Sequence, residues 1–398
     1  MYFANTREEK IQRIKQLKCD VFIDDLWEVF SEPTFPKTTK KILFGEQNKQ
    51  LLPLDFTSQS WREIGRYLLE DETEQDVQTW IEYLAQHRLD ALTKVKGRAN
   101  SQVYRVQIAN KSFAVKWYPD LASDSRQRLL AESQASEFLK EQKVGDVIQF
   151  IKRAPELNLG VYSWIEGTPV QEVRDGDVVQ ALRFTEKLYQ LREVESAQNL
   201  PKAAEACLCL EDLLNQITQK NKRLLTKAAE SPRLLEFLEI DFSPIFEQCQ
   251  TLITDPFYEL PQSNPLPKNK QTLSPSDFGF HNALRTSDGP LVWLDFEYFG
   301  WDDPVKLISD FLWHPGFELN GQQQEFWKIG CFEIFKQDPE LQNRFDRCFP
   351  LYGLRWSLIL LNSFLRGKKE SEKCQQQLQK AQQMLSKVRK ILSTSDRA

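Results

Sequence analysis

Histidine is nearly missing from this chain: His87, His281 and His314 are the only three in 398 residues. A multi-histidine metal centre would have to gather almost all of them from distant positions, which sets metallohydrolase chemistry aside. Paired cysteines are missing as well. Seven occur, an odd number, and Cys207 and Cys209 form the only close pair, as C-x-C, with no second pair or nearby histidine to complete a zinc site. They read as small buried hydrophobes in a reducing compartment, not as a disulfide framework. No stretch approaches the roughly eighteen consecutive apolar residues of a membrane-spanning helix. The densest one, Trp356 to Leu365, is broken by Ser357, Asn362 and Ser363. The opening Met1-Tyr2-Phe3-Ala4, followed by Thr6-Arg7-Glu8-Glu9-Lys10, lacks the basic-then-apolar order of a signal peptide, so a cytoplasmic protein without a membrane partner is expected. Positive charge is not in surplus either. Fifty-two Lys and Arg against 57 Asp and Glu give a net charge of -5, which argues against a nucleic-acid partner held by phosphate neutralisation. No feature points to a particular oligomeric state.

What is present is the composition of a soluble globular protein, 41% hydrophobic and 27% charged, long enough for two to three domains at about 150 residues each. Ile11, Ile14 and Leu17 have helical spacing within Arg7 to Lys18, and the short apolar runs Val21 to Ile23 and Ile42 to Phe44 read as strands. Ser60 and Glu63 have the spacing of a capping box for a helix from Trp61, and a second helix fits Glu74 to His87. From Leu89 the pattern changes to β-prone runs: Leu92 to Val95, Val103 to Ile108 and Phe113 to Trp117, with a turn at Asn110-Lys111. A helix fits Asp124 to Gln142, and two further β-prone runs follow at Val147 to Ile151 and Leu159 to Ile165. Beyond Gly167 the chain is mostly helical, interrupted from about Asp255 to Pro304. Four helical stretches close it, the last carrying Leu378, Met384, Leu385, Val388 and Leu392 on one docked face. The expected boundaries are 1–58 for an α/β segment, 59–88 for a helical linker, 89–168 for a small β-rich unit and 169–398 for a large helical one.

The interruption holds the polar residues of interest. Ser274-Pro275-Ser276-Asp277-Phe278-Gly279-Phe280-His281-Asn282 is followed by the apolar run Leu291 to Leu294 and then Asp295-Phe296-Glu297. An aspartate, an asparagine five residues on, and an aspartate ending a strand-like run give the order of a phosphoryl-transfer site. One carboxylate must align and deprotonate the attacking hydroxyl, and oxygen donors must hold Mg²⁺. Asp277 suits the first task; Asn282 and Asp295, with Glu297 beside them, suit the second. Taken alone, Asp277 and Asn282 could equally be turn formers in a Ser/Pro-rich loop.

On these residues the chain resembles the aminoglycoside phosphotransferase and choline kinase group. Asp277, Asn282 and Asp295-Phe296-Glu297 match its H-G-D-x-H-P-x-N loop and D-F-E or D-W-E metal motif, and Gly300-Trp301-Asp302-Asp303-Pro304 is similar to the G-x-x-D-P that follows. Pro275 and Gly279 stand where that group has histidines, and His281 precedes the asparagine where a small residue is usual. Upstream, Gly97-Arg98-Ala99-Asn100-Ser101-Gln102-Val103-Tyr104-Arg105-Val106 resembles the group's nucleotide loop, and Phe113-Ala114-Val115-Lys116 its phosphate-binding lysine. Glu132 and Glu137 are the candidate partners of that lysine; Glu132 is preferred because Leu139 then falls at the group's buried leucine. Val161 to Gly167 resembles the hinge strand, with Ser163 and Ile165 beside adenine.

The resemblance covers about residues 89 to 315. It implies an α+β, two-lobed protein-kinase-like fold with a small β-rich N-lobe and a large helical C-lobe, preceded by a small α/β segment. It further implies an ATP- and Mg²⁺-dependent transfer of the γ-phosphate to a hydroxyl of a small molecule: a sugar, an aminoglycoside-like compound or an amino alcohol. Gly97, Asn100, Ser101, Lys116, Glu132, Ser163 and Ile165 would hold the nucleotide, Asn282, Asp295 and Glu297 the metal, and Asp277 would act on the hydroxyl. The acidic residues Glu297, Asp302, Asp303, Asp310 and Glu318 fit either a cationic acceptor or a solvated acidic face. The rival reading is a catalytically inactive kinase-like binding or scaffold protein, motivated by Pro275 and Gly279. A protein kinase is disfavoured because H-R-D, D-F-G and A-P-E are all missing.

Near the start, Cys19-Asp20-Val21-Phe22-Ile23-Asp24-Asp25-Leu26, with Lys15 and Lys18 before it, is similar to the end of a haloacid-dehalogenase-type domain. No upstream D-x-D nucleophile accompanies it, so no phospho-aspartate could form. It reads as a truncated, structural remnant; an unrelated strand followed by an Asp-capped helix fits the same residues.

Overall fold

A computed structural model describes residue 4 and residues 6–45, 54–68, 74–95, 101–119, 126–253, 264–366 and 371–395. Packing groups the chain into two units, one of residues 1–97, 103–112 and 154–159, the other of 98–102, 113–153 and 160–398.

In the first unit, helix Arg7–Leu17 starts at Thr6, whose hydroxyl accepts the N–H of Glu9 at 3.2 Å, and stops at Lys18 in the left-handed region. Ile11 and Ile14 enter a small core with Val29, Phe30, Phe35 and Leu43. Strands Val21–Asp24, Lys40–Phe44 and Phe56–Ser58 form a parallel sheet in that order. Asp24, at the end of the first strand, takes the Lys10 ammonium at 2.7 Å and accepts the Leu26 N–H at 3.0 Å, a structural use of that carboxylate. Helices Trp61–Leu68 and Glu74–Ala85 follow. Strands Ala91–Val95 and Gln102–Ile108 then pair antiparallel from Ala91↔Gln107 to Val95↔Val103. The next turn is centred on Ala109-Asn110, one residue earlier than the sequence suggests. Both residues have positive φ, 49° and 63°, the pairing that lets a two-residue hairpin follow the twist of its strands.

The strands Lys111–Trp117, Leu159–Ser163 and Phe150–Ala154, of which 113–117, 160–163 and 150–153 fall in the second unit, lie side by side in that order. Helix Arg128–Glu141 turns Ala135, Phe138 and Leu139 into the core and keeps Glu132 buried on the same side. Five helices, not four, follow Pro304 among the described residues: Pro304–Trp313, Gly321–Ile334, Leu341–Leu360, Asn362–Arg366 and Glu372–Ser395. The extra one arises because Leu361 breaks the long apolar helix from its last short turn. Leu341–Leu365 is apolar and long enough to cross a membrane by length and composition, but most of it is buried in this core. Leu378, Leu385, Val388 and Leu392 of the last helix are also buried.

Two nested antiparallel pairs position the polar loops. The outer pair joins Thr272–Ser274 to Gly300–Asp302, and the inner hairpin joins Ala283–Arg285 to Leu291–Trp293. The segments between outer and inner strands, 275–282 and 294–299, are thereby brought to one place. Residues far apart in sequence, Asp277 and Asp295 among them, become neighbours because four three-residue strands hold both loops.

Candidate active site

The loop after Ser274 is held tightly before it reaches Asp277. Ser276 sits at φ 67°, a conformation that costs a non-glycine residue on the order of 1 kcal/mol and persists only where its surroundings hold it. Its hydroxyl donates to the Ala204 carbonyl at 3.0 Å and accepts from the buried Lys306 ammonium at 2.9 Å. Lys306 in turn lies 3.1 Å from Asp302 and 3.0 Å from Asp310. Asp303, the first residue after the outer strand pair, caps helix Pro304–Trp313 by accepting the Val305 N–H at 2.9 Å, with Pro304 in the position where its missing N–H is harmless. Asp303 also takes Arg344 at 2.9 Å. The Asp302-Asp303-Pro304 run thus fixes the loop.

Asp277 faces two imidazoles. His281 Nε2 and His314 Nε2 lie 3.3 and 3.4 Å from the same Oδ1, and the two rings stack with centroids 3.8 Å apart. Burial would raise the Asp277 pKa, but the histidines outweigh it and hold the carboxyl well below its ordinary range. His314 Nδ1 accepts the Gly316 N–H at 2.9 Å, so its Nε2 is the nitrogen that carries a proton in the neutral ring. Burial lowers the His314 pKa, and the charge of His281 adds to it. Gly279 cannot be the histidine of the resembled motif: a Cβ there would meet Phe317 at 2.3 Å. Imidazoles reach Asp277 from positions 281 and 314 instead. The amide nitrogen of Asn282 donates to the Asp277 carbonyl at 2.9 Å, leaving its oxygen as the end available to a ligand. Its own carbonyl accepts the Leu294 N–H at 2.9 Å, which sets Asn282 beside Asp295.

Lys116 reaches that place from the strand Lys111–Trp117. Its ammonium lies 2.7 Å from Glu132, 2.7 Å from Asp295 and 3.0 Å from Glu297. Burial alone would lower the ammonium pKa; Asp295 and Glu132 more than offset it and hold the pKa raised. Glu132 also accepts the Tyr118 hydroxyl at 2.6 Å and the Phe296 N–H at 3.3 Å. Glu137 is exposed on the other side of the helix. The second oxygen of Glu297 pairs with Arg128, and Ser101 donates to the first at 3.3 Å. Asp295, at φ 65°, is the most accessible of the three carboxylates, which offer ligand atoms within 4.8 Å of one another.

The structure therefore brings Ser101, Lys116, Glu132, Asp295 and Glu297 together, with Asp277 and Asn282 on the adjoining loop. Gly97 and Asn100 lie outside the described residues. Ser163 donates its N–H to the Gln149 carbonyl at 2.8 Å and is committed to the sheet, while Ile165 lies just past the strand end.

No family model matches the chain, and no curated protein matches it in sequence. Solved structures do match. A choline kinase, LicA, from Streptococcus pneumoniae is similar over 79% of this chain and 99% of its own, with 14% identity and a TM-score of 0.53. Spectinomycin phosphotransferase, in complex with ADP and spectinomycin, is similar over 78% of this chain and 98% of its own at 12% identity, TM-score 0.54. An ethanolamine kinase of Plasmodium vivax is similar over 80% and 92% at 12% identity, TM-score 0.51. The chain has the kinase-like fold of these small-molecule kinases.

Within that kinase-like fold, a pocket of about 280 Å³ opens beside Asp277. Its wall includes residues that sequence patterns did not single out: Arg126, Glu205, Lys220, Tyr298, Arg355 and Trp356. Glu205 and Lys220 lie 15 residues apart, but Arg355 is 150 residues beyond Glu205 on another helix, with Trp356 next to it, so no local motif marks the set. Sequence patterns did not tie His314 to Asp277; its place there follows from the end of helix Pro304–Trp313.

Proposed function

We propose that the protein transfers the γ-phosphoryl group of ATP to a hydroxyl of a small molecule. What carries the reading is the meeting of Lys116, Glu132 and Asp295 next to Asp277 and Asn282 on a kinase-like fold. In this reading Lys116, steadied by Glu132, gives up its contact with Asp295 and orients the nucleotide phosphates. Gly97, Asn100 and Ser101 would close over them, and the backbone of Ser163 to Ile165 would face the adenine.

The donor set fits a hard divalent cation, being made of an amide oxygen and carboxylates with no soft ligand. Asn282 and Asp295 would hold Mg²⁺, with Glu297, now engaged by Arg128 and Lys116, as a further carboxylate beside them. Bound there, the ion supplies charge neutralisation for the phosphates. Asp277 accepts the proton of the attacking hydroxyl on a carboxylate oxygen, and the proton leaves with the phosphorylated product or to water. His281 and His314 keep Asp277 ionised and fix its orientation, and Asn282 anchors its backbone.

Asp277→Asn keeps the shape of the side chain but loses the base. Turnover, read as ADP release with an acceptor present, should fall by about 10²–10⁴-fold, while the melting temperature of the free protein stays close to wild type. Unchanged turnover would remove Asp277 from this role. Retained nucleotide binding with no turnover against any acceptor would favour a binding protein.

A further inference from the structure

We infer that the acceptor taken beside Asp277 is a polyol without a cationic group, uncharged or anionic, a step that rests on the phosphotransferase reading above and adds the substrate class. A bound cation needs a carboxylate that lacks a partner, or an aromatic face open to it. Among the described residues lining this pocket, the carboxylates are already taken. Glu205 lies 2.8 Å from Arg355 and 3.2 Å from Lys220. Asp310 lies 3.2 Å from Arg355 and 3.0 Å from Lys306, and accepts the Trp356 indole N–H at 2.7 Å. Asp277 remains, and it is committed to the reacting hydroxyl and to two imidazoles. Neither aromatic ring of the lining is an open cage: the guanidinium groups of Arg126 and Arg128 sit 5.4 and 5.0 Å from the Tyr298 centroid, and the buried Trp356 ring has His314 packed against it at 4.7 Å.

The same pairings answer the question left by the acidic residues in the sequence. Glu297, Asp302, Asp303 and Asp310 are all buried and all paired with Lys or Arg, so these four form neither a cation trap nor a solvated face, while Glu318 is exposed.

The lining favours hydroxyls instead. Arg126, Lys220 and Arg355 face Glu205, Asp277 and Asp310, so the described lining carries no excess of negative charge to draw a cation. A second cavity of about 370 Å³ shares Glu205 and Lys220 with the first and continues along helix Leu210–Ala228, where Asn215, Gln219 and Arg223 line it beside Asp212, whose carboxylate accepts the Leu208 and Cys209 N–H groups. Side-chain amides both donate and accept, as recognition of a polyol requires. A cationic acceptor would have to compete with Lys220 and Arg355 for Glu205, or displace Arg355 from its buried pairing with Asp310, a cost that discriminates against it.

The test uses the full chain and begins with thermal shift by Mg-ADP, which reports the nucleotide site alone. ADP release from Mg-ATP is then followed with ribitol and myo-inositol as neutral probes, gluconate and ribose 5-phosphate as anionic ones, and choline and kanamycin as cationic ones. Quenching of tryptophan fluorescence gives a second binding readout, because Trp356 is in the pocket wall. At least one neutral or anionic probe should raise ADP release tenfold or more over the rate without acceptor, and both cationic probes should leave it unchanged. Turnover of choline or kanamycin at or above the best polyol overturns the inference, as does a protein that Mg-ADP shifts but no neutral or anionic probe affects. Loss of the Mg-ADP shift itself would instead strike the phosphotransferase reading.

Discussion

At Lys116 three buried or half-buried carboxylates converge on one ammonium, and removing either side of such a group leaves charge without compensation. Lys116→Met should therefore destabilise the protein by about 3–5 kcal/mol besides weakening nucleotide binding, a loss that urea unfolding at neutral pH would measure. A change below about 1 kcal/mol would mean that Glu132, Asp295 and Glu297 find other partners. Glu205 offers the pH counterpart. Burial works against its ionised form, but Arg355 and Lys220 hold its pKa at about 2. A carboxylate depressed on folding stabilises the native state above its ordinary unfolded pKa near 4.5 and loses that contribution as pH falls toward 2. Wild type should thus exceed Glu205→Gln in urea midpoint at pH 7, with the gap closing as pH falls from 4.5 toward 2. The side chain is 38% exposed, so solvent screening keeps the gap small; a gap that widens in acid would contradict the assignment.

At the scale of elements, the site is the product of nested strand pairs and the helices that hold them. Helix Leu341–Leu360 approaches its neighbours at Gly353, where a Cβ would meet Val388 at 2.6 Å and Trp313 at 2.7 Å. Both are buried core atoms with little room to move. Gly353→Ala should gain helix propensity yet lose more by overpacking, for a net cost of about 1–3 kcal/mol. A thermal melt would show it, and a variant as stable as wild type would mean that the helix pair can separate by a few tenths of an ångström. Trp313 also precedes His314, so the same variant should lower turnover by displacing that imidazole.

At the scale of the whole molecule, a ligand that binds only the native state must raise its stability. Mg-ADP at about a hundred times its dissociation constant should add about 2.7 kcal/mol and raise the melting temperature by several degrees. Asp295→Ala should remove the Mg²⁺-dependent part of that shift. A shift that persists unchanged in the variant, or one indifferent to Mg²⁺, would move the metal away from Asp295.

Much of this protein was legible before any coordinates, because its signals are local. Helical and β periodicity marked Arg7 to Lys18, the strands around Lys116 and the final helix, since burial of one face is written into residue spacing. The order Lys116, Glu132, Asp277, Asn282, Asp295 was readable as a candidate phosphoryl-transfer set, because those residue types sit in short local motifs. Other features depend on where distant segments land. Gly279 and Pro275 read as defects in a line of sequence, whereas the fold supplies imidazoles from His281 and His314 and leaves no room for a side chain at 279. The acidic residues from Glu297 to Asp310 read as available charge, and only packing against Arg128, Lys306, Arg344 and Arg355 neutralises them. The charge balance of the pocket belongs to the tertiary structure, since Coulomb energy depends on separation in space and sequence records only separation along the chain.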